Sequence, residues 1–341
     1  MEFDKIELAH GAGGKLTQQL LDEIIVPTFK NKIVKGGIGL EALDDGATIP
    51  VQDYEVVVST DAHTITPLFF PGGDLGKLAV CGTINDVAVM GAKPVAITSA
   101  IIMEEGFLMN NFKKILNSMN QILVEANVAL IAGDTKVMPN GTLDGMIIST
   151  TGVGIVKKGS VITDNGLKPG NKIIINGSIG DHGIALLSKR EGLGFETQLV
   201  SDCAPLHETI EAAMKPGGIK AMKDPTRGGV AGLLNEFAQK SNVSIWIDED
   251  KVPIKAPVIA ACEMLGFDPL AIANEGKVVM GVEKDLAEET LSLIKKTKYG
   301  KNAEIIGEVK AEKPGYVILN TSIGGKRIIE TPRGEPIPRV C

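Results

Sequence analysis

A chain of 341 residues is long enough for two domains, each burying its own core. Hydrophobic residues make up 44% of it and aromatics only 4%, so aliphatic strands and helices must build the interior, and the scarcity of aromatics argues against a base-stacking RNA surface. A net charge of −7 with no basic tract argues against nucleic acid or an anionic membrane as a general partner.

Met1-Glu2-Phe3-Asp4-Lys5 does not read as a signal peptide, and no apolar run approaches the ~20 residues of a membrane span, so a cytoplasmic location is expected. The four cysteines (Cys81, Cys203, Cys262, Cys341) lie far apart without C-x-x-C spacing, which suggests neither a zinc site nor a disulfide framework. Cys81 and Cys262 sit in apolar helical stretches and are expected in the core.

In chain order, His10-Gly11-Ala12-Gly13-Gly14-Lys15 precedes a helical pattern through Leu16, Leu20, Leu21 and Ile24. Such a stretch either presents backbone N–H groups to phosphate or forms a simple turn; its spacing is not that of a P-loop. After Glu41 to Ala47, the run Val56 to Val58 reads as a buried strand with Ser59-Thr60-Asp61-Ala62-His63 just past its end. Cys81 to Gly91 reads as a small-residue helix carrying Asp86 and ended by Gly91 before Pro94. The helix from Asn111 has one apolar face of Ile115, Met119, Ile122, Leu123 and Ala126, and leads to the strand Val128 to Ala132, which ends at Gly133-Asp134-Thr135-Lys136. The recurring form is an aliphatic strand delivering an aspartate at its end. One such residue is a cap or turn. Two carboxylates ~4 Å apart repel by about 4 kcal/mol at an effective dielectric of ~20, so several that converge require a cation.

Met146 to Val156 reads as the strand that completes a domain of residues 1–157. A second domain, 158–330, opens with the strand Lys172 to Asn176 and a loop into a helix from Ile184 to Ser188. Asp224-Pro225-Thr226-Arg227-Gly228-Gly229 precedes a helix from Val230 to Gln239, with paired glycines that let amides approach an anion. Asn274-Glu275-Gly276-Lys277 precedes the strand Val278 to Val282; a helix covers Leu286 to Lys296, and Tyr316 to Asn320 with Lys326 to Glu330 forms a closing hairpin.

Residues 331–341, Thr331 to Cys341, form a tail with three prolines, which excludes a helix and favours an extended arm. Fully extended it spans roughly 35 Å, enough to swing Cys341 between solvent and a pocket. Pro338 stands where a C-a-a-X box needs its cysteine, so prenylation is excluded. Arg339 favours a Cys341 thiolate and the neighbouring carboxylate opposes it.

The set His10-Gly-Ala-Gly-Gly, Asp44-Asp45-Gly-Ala, Leu68 to Gly73, Asn85-Asp86-Val-Ala, Ala132-Gly-Asp134-Thr135-Lys136, Gly180-Asp181-His182-Gly183, Asp224 to Gly229, Asn274-Glu275-Gly276 and the final Pro338-Arg339-Val340-Cys341 resembles the HypE family of hydrogenase maturation factors. That family belongs to a superfamily shared with aminoimidazole ribonucleotide synthetase, selenophosphate synthetase and thiamine-monophosphate kinase. The resemblance implies their two-domain α/β (α+β) architecture, with N-terminal domains paired by β-sheet in a homodimer and ATP at the junction. It also implies the chemistry: a carbamoyl group placed on the terminal cysteine by HypF is dehydrated to a thiocyanate with consumption of ATP. The cyanide then passes to a HypC–HypD complex for the Fe(CN)₂CO centre of [NiFe] hydrogenases. Family tails often end in Ile-Cys, and Val340 leaves the chemistry unchanged.

On the strand-end pattern and the resemblance together, Asp45, Asp61, Asp86 and Asp134 are the expected Mg²⁺ and phosphate ligands, with Asp224 a weaker one. Gly11, Gly13, Gly14, Thr135, Asp181 and Arg227 complete the expected nucleotide site. Lys136 is expected to bind phosphate or the developing oxyanion. Glu275 is either the base for the carbamoyl nitrogen or a cap on the Gly276 turn. Arg227 either clamps phosphate or pairs with Asp224, and His10 and His63 read as scaffold residues more than proton carriers. Two other readings remain: a small-molecule ATP-dependent synthetase or kinase, and a non-catalytic nucleotide-binding scaffold. The absence of any cysteine before Cys81 counts against selenophosphate synthesis.

Overall fold

The computed structural model describes residues 5–191, 199–332, 334, 337, 340 and 341. The expectations for Pro336, Pro338 and Arg339 lie outside the described residues. After a short helix α1 (Lys15–Leu20) and a turn of helix α2 (Val26–Thr28), the first half builds a five-stranded sheet in the order β1-β2-β7-β5-β6. Its strands are β1 (Ala47–Val51), β2 (Tyr54–His63), β5 (Lys93–Glu104), β6 (Ala129–Met138) and β7 (Met146–Lys157), beside a two-residue hairpin of β3 (Phe69–Phe70) and β4 (Gly73–Asp74).

All neighbours in this sheet run antiparallel except β5 and β6, which are parallel and joined by α4 (Met109–Ala126). A parallel pair needs such a crossover. The helix buries Ile115, Met119, Ile122, Leu123 and Ala126, the face its periodicity predicts, and Asn127 in the left-handed region (φ 52°) ends it. The other helix, α3 (Leu75–Val89), is capped by Asp74, whose side chain accepts from the Lys77 amide, and it is buried almost all round. Its small residues are the reason: they admit the sheet on one side and the second domain on the other.

The second half forms a seven-stranded sheet, β14-β13-β10-β12-β8-β11-β9, from β8 (Lys172–Ile175), β9 (Ile219–Lys223), β10 (Ser244–Asp248), β11 (Val279–Val282), β12 (Glu304–Lys310), β13 (Val317–Asn320) and β14 (Lys326–Ile329). Helices α6 (His207–Met214), α7 (Gly229–Lys240) and α9 (Ala287–Ile294) pack on it, while α5 (Asp181–Glu191) and α8 (Ala256–Leu265) pack together toward the first half. One apolar cluster carries α3 and α4 through α5 and α8 to Ile337 and Val340, so the docked tail shares a core with both halves. Cys81 and Cys262 lie in that core, as their surroundings predict.

Two strands run farther than the sequence suggests. The pairing of β2 with β7 continues through Ser59↔Gly152 to His63↔Ile148, and β6 continues through Asp134 to Met138 opposite β5. Asp61 and Asp134 therefore stand within strands and not past their ends, because the ladder partner is present and the alternation of faces absorbs a polar residue. Among the described residues, no helix is long and apolar enough to cross a membrane.

Candidate active site

A cleft of about 440 Å³ opens where the two halves meet. Asp61 projects from β2, Asp86 from α3, Asp45 from the loop before β1, Asp224 from the end of β9, and Glu275 from the loop before β11; Cys341 forms part of the wall. Asp86 accepts from the Ser59 hydroxyl at 2.8 Å, and Asp61 lies 3.7 Å from His63 Nε2.

Burial first, then the neighbouring charges of Asp61, Asp224 and Asp45, hold the Asp86 carboxyl well above the usual range. Asp224 is raised to about 7 by burial and by Asp61, against the pull of Lys223. Burial, with Cys203, Asp224, Asp202 and Asp61, also lifts Glu275 well above its usual value. Raised together, these groups mark a site short of positive charge.

Part of that charge comes from a residue the sequence reading did not single out. Lys223 reaches Asp45 at 2.7 Å, Asp164 at 3.1 Å and Glu236 at 3.3 Å. Lys240 adds contacts to Asp164 at 3.0 Å and Asp44 at 3.5 Å. Only its position directly before Asp224 could have drawn attention to Lys223.

Magnesium fits this donor set in a limited sense. Asp45 Oδ2 is buried with no hydrogen-bond partner, and all the donors are carboxylate oxygens. Among the described residues, no three His, Cys, Asp or Glu side chains converge tightly enough to hold an ion alone. That suits a cation which keeps water and takes phosphate oxygens as its remaining ligands.

The glycine-rich segment lies over the opposite wall. Gly13 is in the left-handed region (φ +71°), and a Cβ there would stand 2.6 Å from Arg227 Cβ, so only glycine lets the two loops approach this closely. Gly13 and Gly14 line the cleft, whereas Gly11 lies outside the lining and accepts from Arg227 Nη1 through its carbonyl at 2.8 Å. The Gly13 amide donates to Thr17 Oγ1 at 2.9 Å, so this N–H already has a partner in the chain. Arg227 lines the cleft, and its guanidinium donates to the Gly11 carbonyl.

Besides Gly11, four expected residues do not line this cleft. In the sheet, Asp61 pairs with Thr150, Thr150 with Ser99, and Ser99 with Gly133. Asp134 is thus three strand positions from Asp61, roughly 14 Å away at strand spacing. It also points to the opposite face, since facing alternates along a strand. Thr135 and Lys136 share this exposed edge strand. Asp181 is drawn elsewhere, to Lys255 at 2.7 Å and the Ser178 hydroxyl at 2.8 Å. His10 accepts from its own Glu7 amide at 3.0 Å and is a scaffold residue, while His63 lines the cleft with its pKa lowered by burial.

Two such sheets joined across an acidic cleft define a two-domain class of α/β proteins, and the comparisons with known proteins place the chain within it. Residues 43–156 match the N-terminal domain of the AIR synthase related proteins and residues 168–320 match their C-terminal domain, and the chain belongs to that family. A putative hydrogenase expression/formation protein of Methanocaldococcus jannaschii is 52% identical over 99% of this chain and 100% of its own length. The carbamoyl dehydratase HypE of Rhizobium leguminosarum bv. viciae is 44% identical over 99% of this chain and 95% of its own. A HypE–HypF complex superposes with a TM-score of 0.85 at 46% identity, covering 92% of this chain and 99% of that one. HypE in complex with ATP gives 0.82 at 37%, covering 99% and 100%. Within the wider family, the chain is a member of the HypE group of hydrogenase maturation proteins.

Proposed function

We propose that the chain is an ATP-dependent carbamoyl dehydratase acting on its own Cys341, and that it supplies cyanide for hydrogenase assembly. The observation that carries this reading is the position of Cys341, in the wall of a carboxylate cleft that Glu275 also lines. An amide oxygen is a poor leaving group, so S–CO–NH₂ loses water only once that oxygen becomes a phosphate ester. The γ-phosphoryl of ATP joins the carbamoyl oxygen as the bond to ADP breaks. Loss of a proton from nitrogen and of phosphate then leaves S–C≡N; the carbamoyl oxygen departs in phosphate and the second nitrogen proton is released.

Glu275 would take the nitrogen proton, its burial making it a stronger base once ionised. Asp45, Asp61 and Asp86 would hold Mg²⁺, which neutralises phosphate charge when bound. Lys223, Lys240 and Arg227 steady the remaining negative charge from the cleft walls. Incubation with HypF, carbamoyl phosphate and ATP should place a carbamoyl adduct on Cys341 that loses the mass of one water, read by mass spectrometry of the tail peptide. Glu275→Gln should retain the adduct and slow that loss by about 10²-fold. An unmodified Cys341 in the wild type would return the chain to an ATP enzyme with a small-molecule substrate.

The partners are HypF for loading and a HypC–HypD complex for unloading, in the cytoplasm. The β6 edge supports a homodimer: Leu130, Ile131 and Val137 are each at least half exposed on a strand with an open side. Pairing through β6 in a second copy covers that edge and sets Asp134, Thr135 and Lys136 at the interface, where we assign their role. Ile131→Lys should convert a dimer to a monomer in sedimentation at micromolar concentration. A monomeric wild type would remove this assignment.

A further inference from the structure

The tail is also held at a point away from the cleft carboxylates. His182, the second residue of α5, is wholly buried, and Phe70 meets its ring edge-on at 5.5 Å and 87°. Its Nε2 lies 2.8 Å from the Val340 carbonyl oxygen and its Nδ1 2.8 Å from Ser201 Oγ. A carbonyl oxygen only accepts, so Nε2 carries the proton and Nδ1 accepts from the Ser201 hydroxyl. Ser201 Oγ in turn accepts from the Cys203 amide at 3.0 Å, and the Ser201 amide donates to the Pro71 carbonyl at 2.8 Å. From the Cys203 amide through the Ser201 hydroxyl and the His182 ring, each proton is donated toward the tail. Burial lowers the His182 pKa against the opposing charge of Asp202, which keeps the ring neutral as the chain requires.

The carbonyl gripped by His182 belongs to the peptide bond that joins Val340 to Cys341. Val340 is fully buried and Ile337 nearly so, and a Cβ added at the neighbouring Gly183 would stand 3.3 Å from Ile337 Cδ1. The apolar contacts seat the tail without fixing its register, because they are non-directional. The hydrogen bond to the Val340 carbonyl, one residue from the sulfur, is directional and does fix it.

We propose that His182 is the positioning residue of the docked tail: its Nε2–H, held in that tautomer by Ser201, grips the Val340 carbonyl and sets where Cys341 and its cargo lie against Glu275. Neither His182 nor Ser201 touches the reacting atoms. Release of the tail leaves a buried imidazole N–H unpaired until water enters, which favours the docked state by roughly tenfold.

Cys81, Cys203 and Cys262 are buried and Cys341 is partly exposed, so labelling of the native full-length chain by Ellman's reagent reports on the tail. His182→Leu should speed that labelling roughly tenfold, the worth of one buried hydrogen bond. His182→Gln, whose side-chain amide donates from a similar position, should restore the rate to within about twofold. Ser201→Ala, a nearly isosteric change, should fall between them, and it carries the test if the leucine variant does not fold. Wild-type labelling in both His182→Leu and Ser201→Ala overturns the proposal. So does His182→Gln labelling as fast as His182→Leu, which would mark simple packing. A kinetic arm rests on the dehydratase reading: water loss from the carbamoylated tail should slow in parallel in the leucine variant. If the wild type shows no dehydration, that reading fails, and the labelling result still decides the role of His182.

Discussion

Asp86→Asn should slow loss of water from the carbamoylated tail by about 10²–10³-fold in a single turnover, the usual cost of removing one preorganised charge from a phosphoryl-transfer site. The same variant should raise the thermal midpoint of the metal-free protein. Asp86 sits among Asp61, Asp224 and Asp45, and burial with those neighbours pushes its carboxyl far up. Asparagine keeps an acceptor for the Ser59 hydroxyl, bonded now at 2.8 Å, and removes a charge the fold resists. Activity and stability then move in opposite directions from one substitution, as is common where a site is strained for function. Dehydration at the wild-type rate would remove Asp86 from the phosphate site. A lowered midpoint would mean that its carboxylate is a structural partner.

Without divalent cations, the protein should lose stability as pH rises from about 5 to 8, and Mg²⁺ should return more of it at pH 8 than at pH 5. Asp224 is raised from 3.8 to about 7 in the folded state. A group raised on folding contributes fully below its unfolded pKa, and its contribution disappears as pH climbs through the folded value. Asp45, Asp86 and Glu275 are shifted the same way, burial being the first cause in each. His63 and His182 work in the other direction: burial lowers both, so their contribution is present above about 6.5 and lost as pH falls. The metal-free profile therefore has two arms. The increment between melts with and without Mg²⁺ isolates the carboxylates, and is expected to grow from pH 5 to pH 8. An increment that is flat with pH would sink the assignment of these aspartates to a cation.

Periodic segments were readable from the sequence alone. The buried face of α4 follows from 3.6-residue spacing, and β7 and the β13–β14 hairpin from aliphatic alternation. Strands β9, β10 and β12 were not, because Ile219–Lys223, Ser244–Asp248 and Glu304–Lys310 mix charged residues with short apolar runs that gain their meaning only from flanking strands.

The site divides along the same line. Asp45, Asp61, Asp86, Asp224 and Glu275 stand out in the sequence and meet in one cleft. Asp134 looked equivalent, but it is separated from Asp61 by two intervening strands and the alternation of faces, which a linear reading does not count. Lys223 and Lys240 went unnoticed because single lysines carry no pattern until the fold sets them beside Asp45 and Asp164.

The tail leaves the second sheet after Ile329 and returns to the cleft at Val340 and Cys341. On the proposed dehydratase reading the substrate is a tethered ligand, at an effective concentration on the order of millimolar set by a linker this short. Turnover cannot be saturated by adding more carrier, since each molecule brings one equivalent of its own. The burden falls on the partners, which must outcompete an intramolecular contact to load or unload the sulfur.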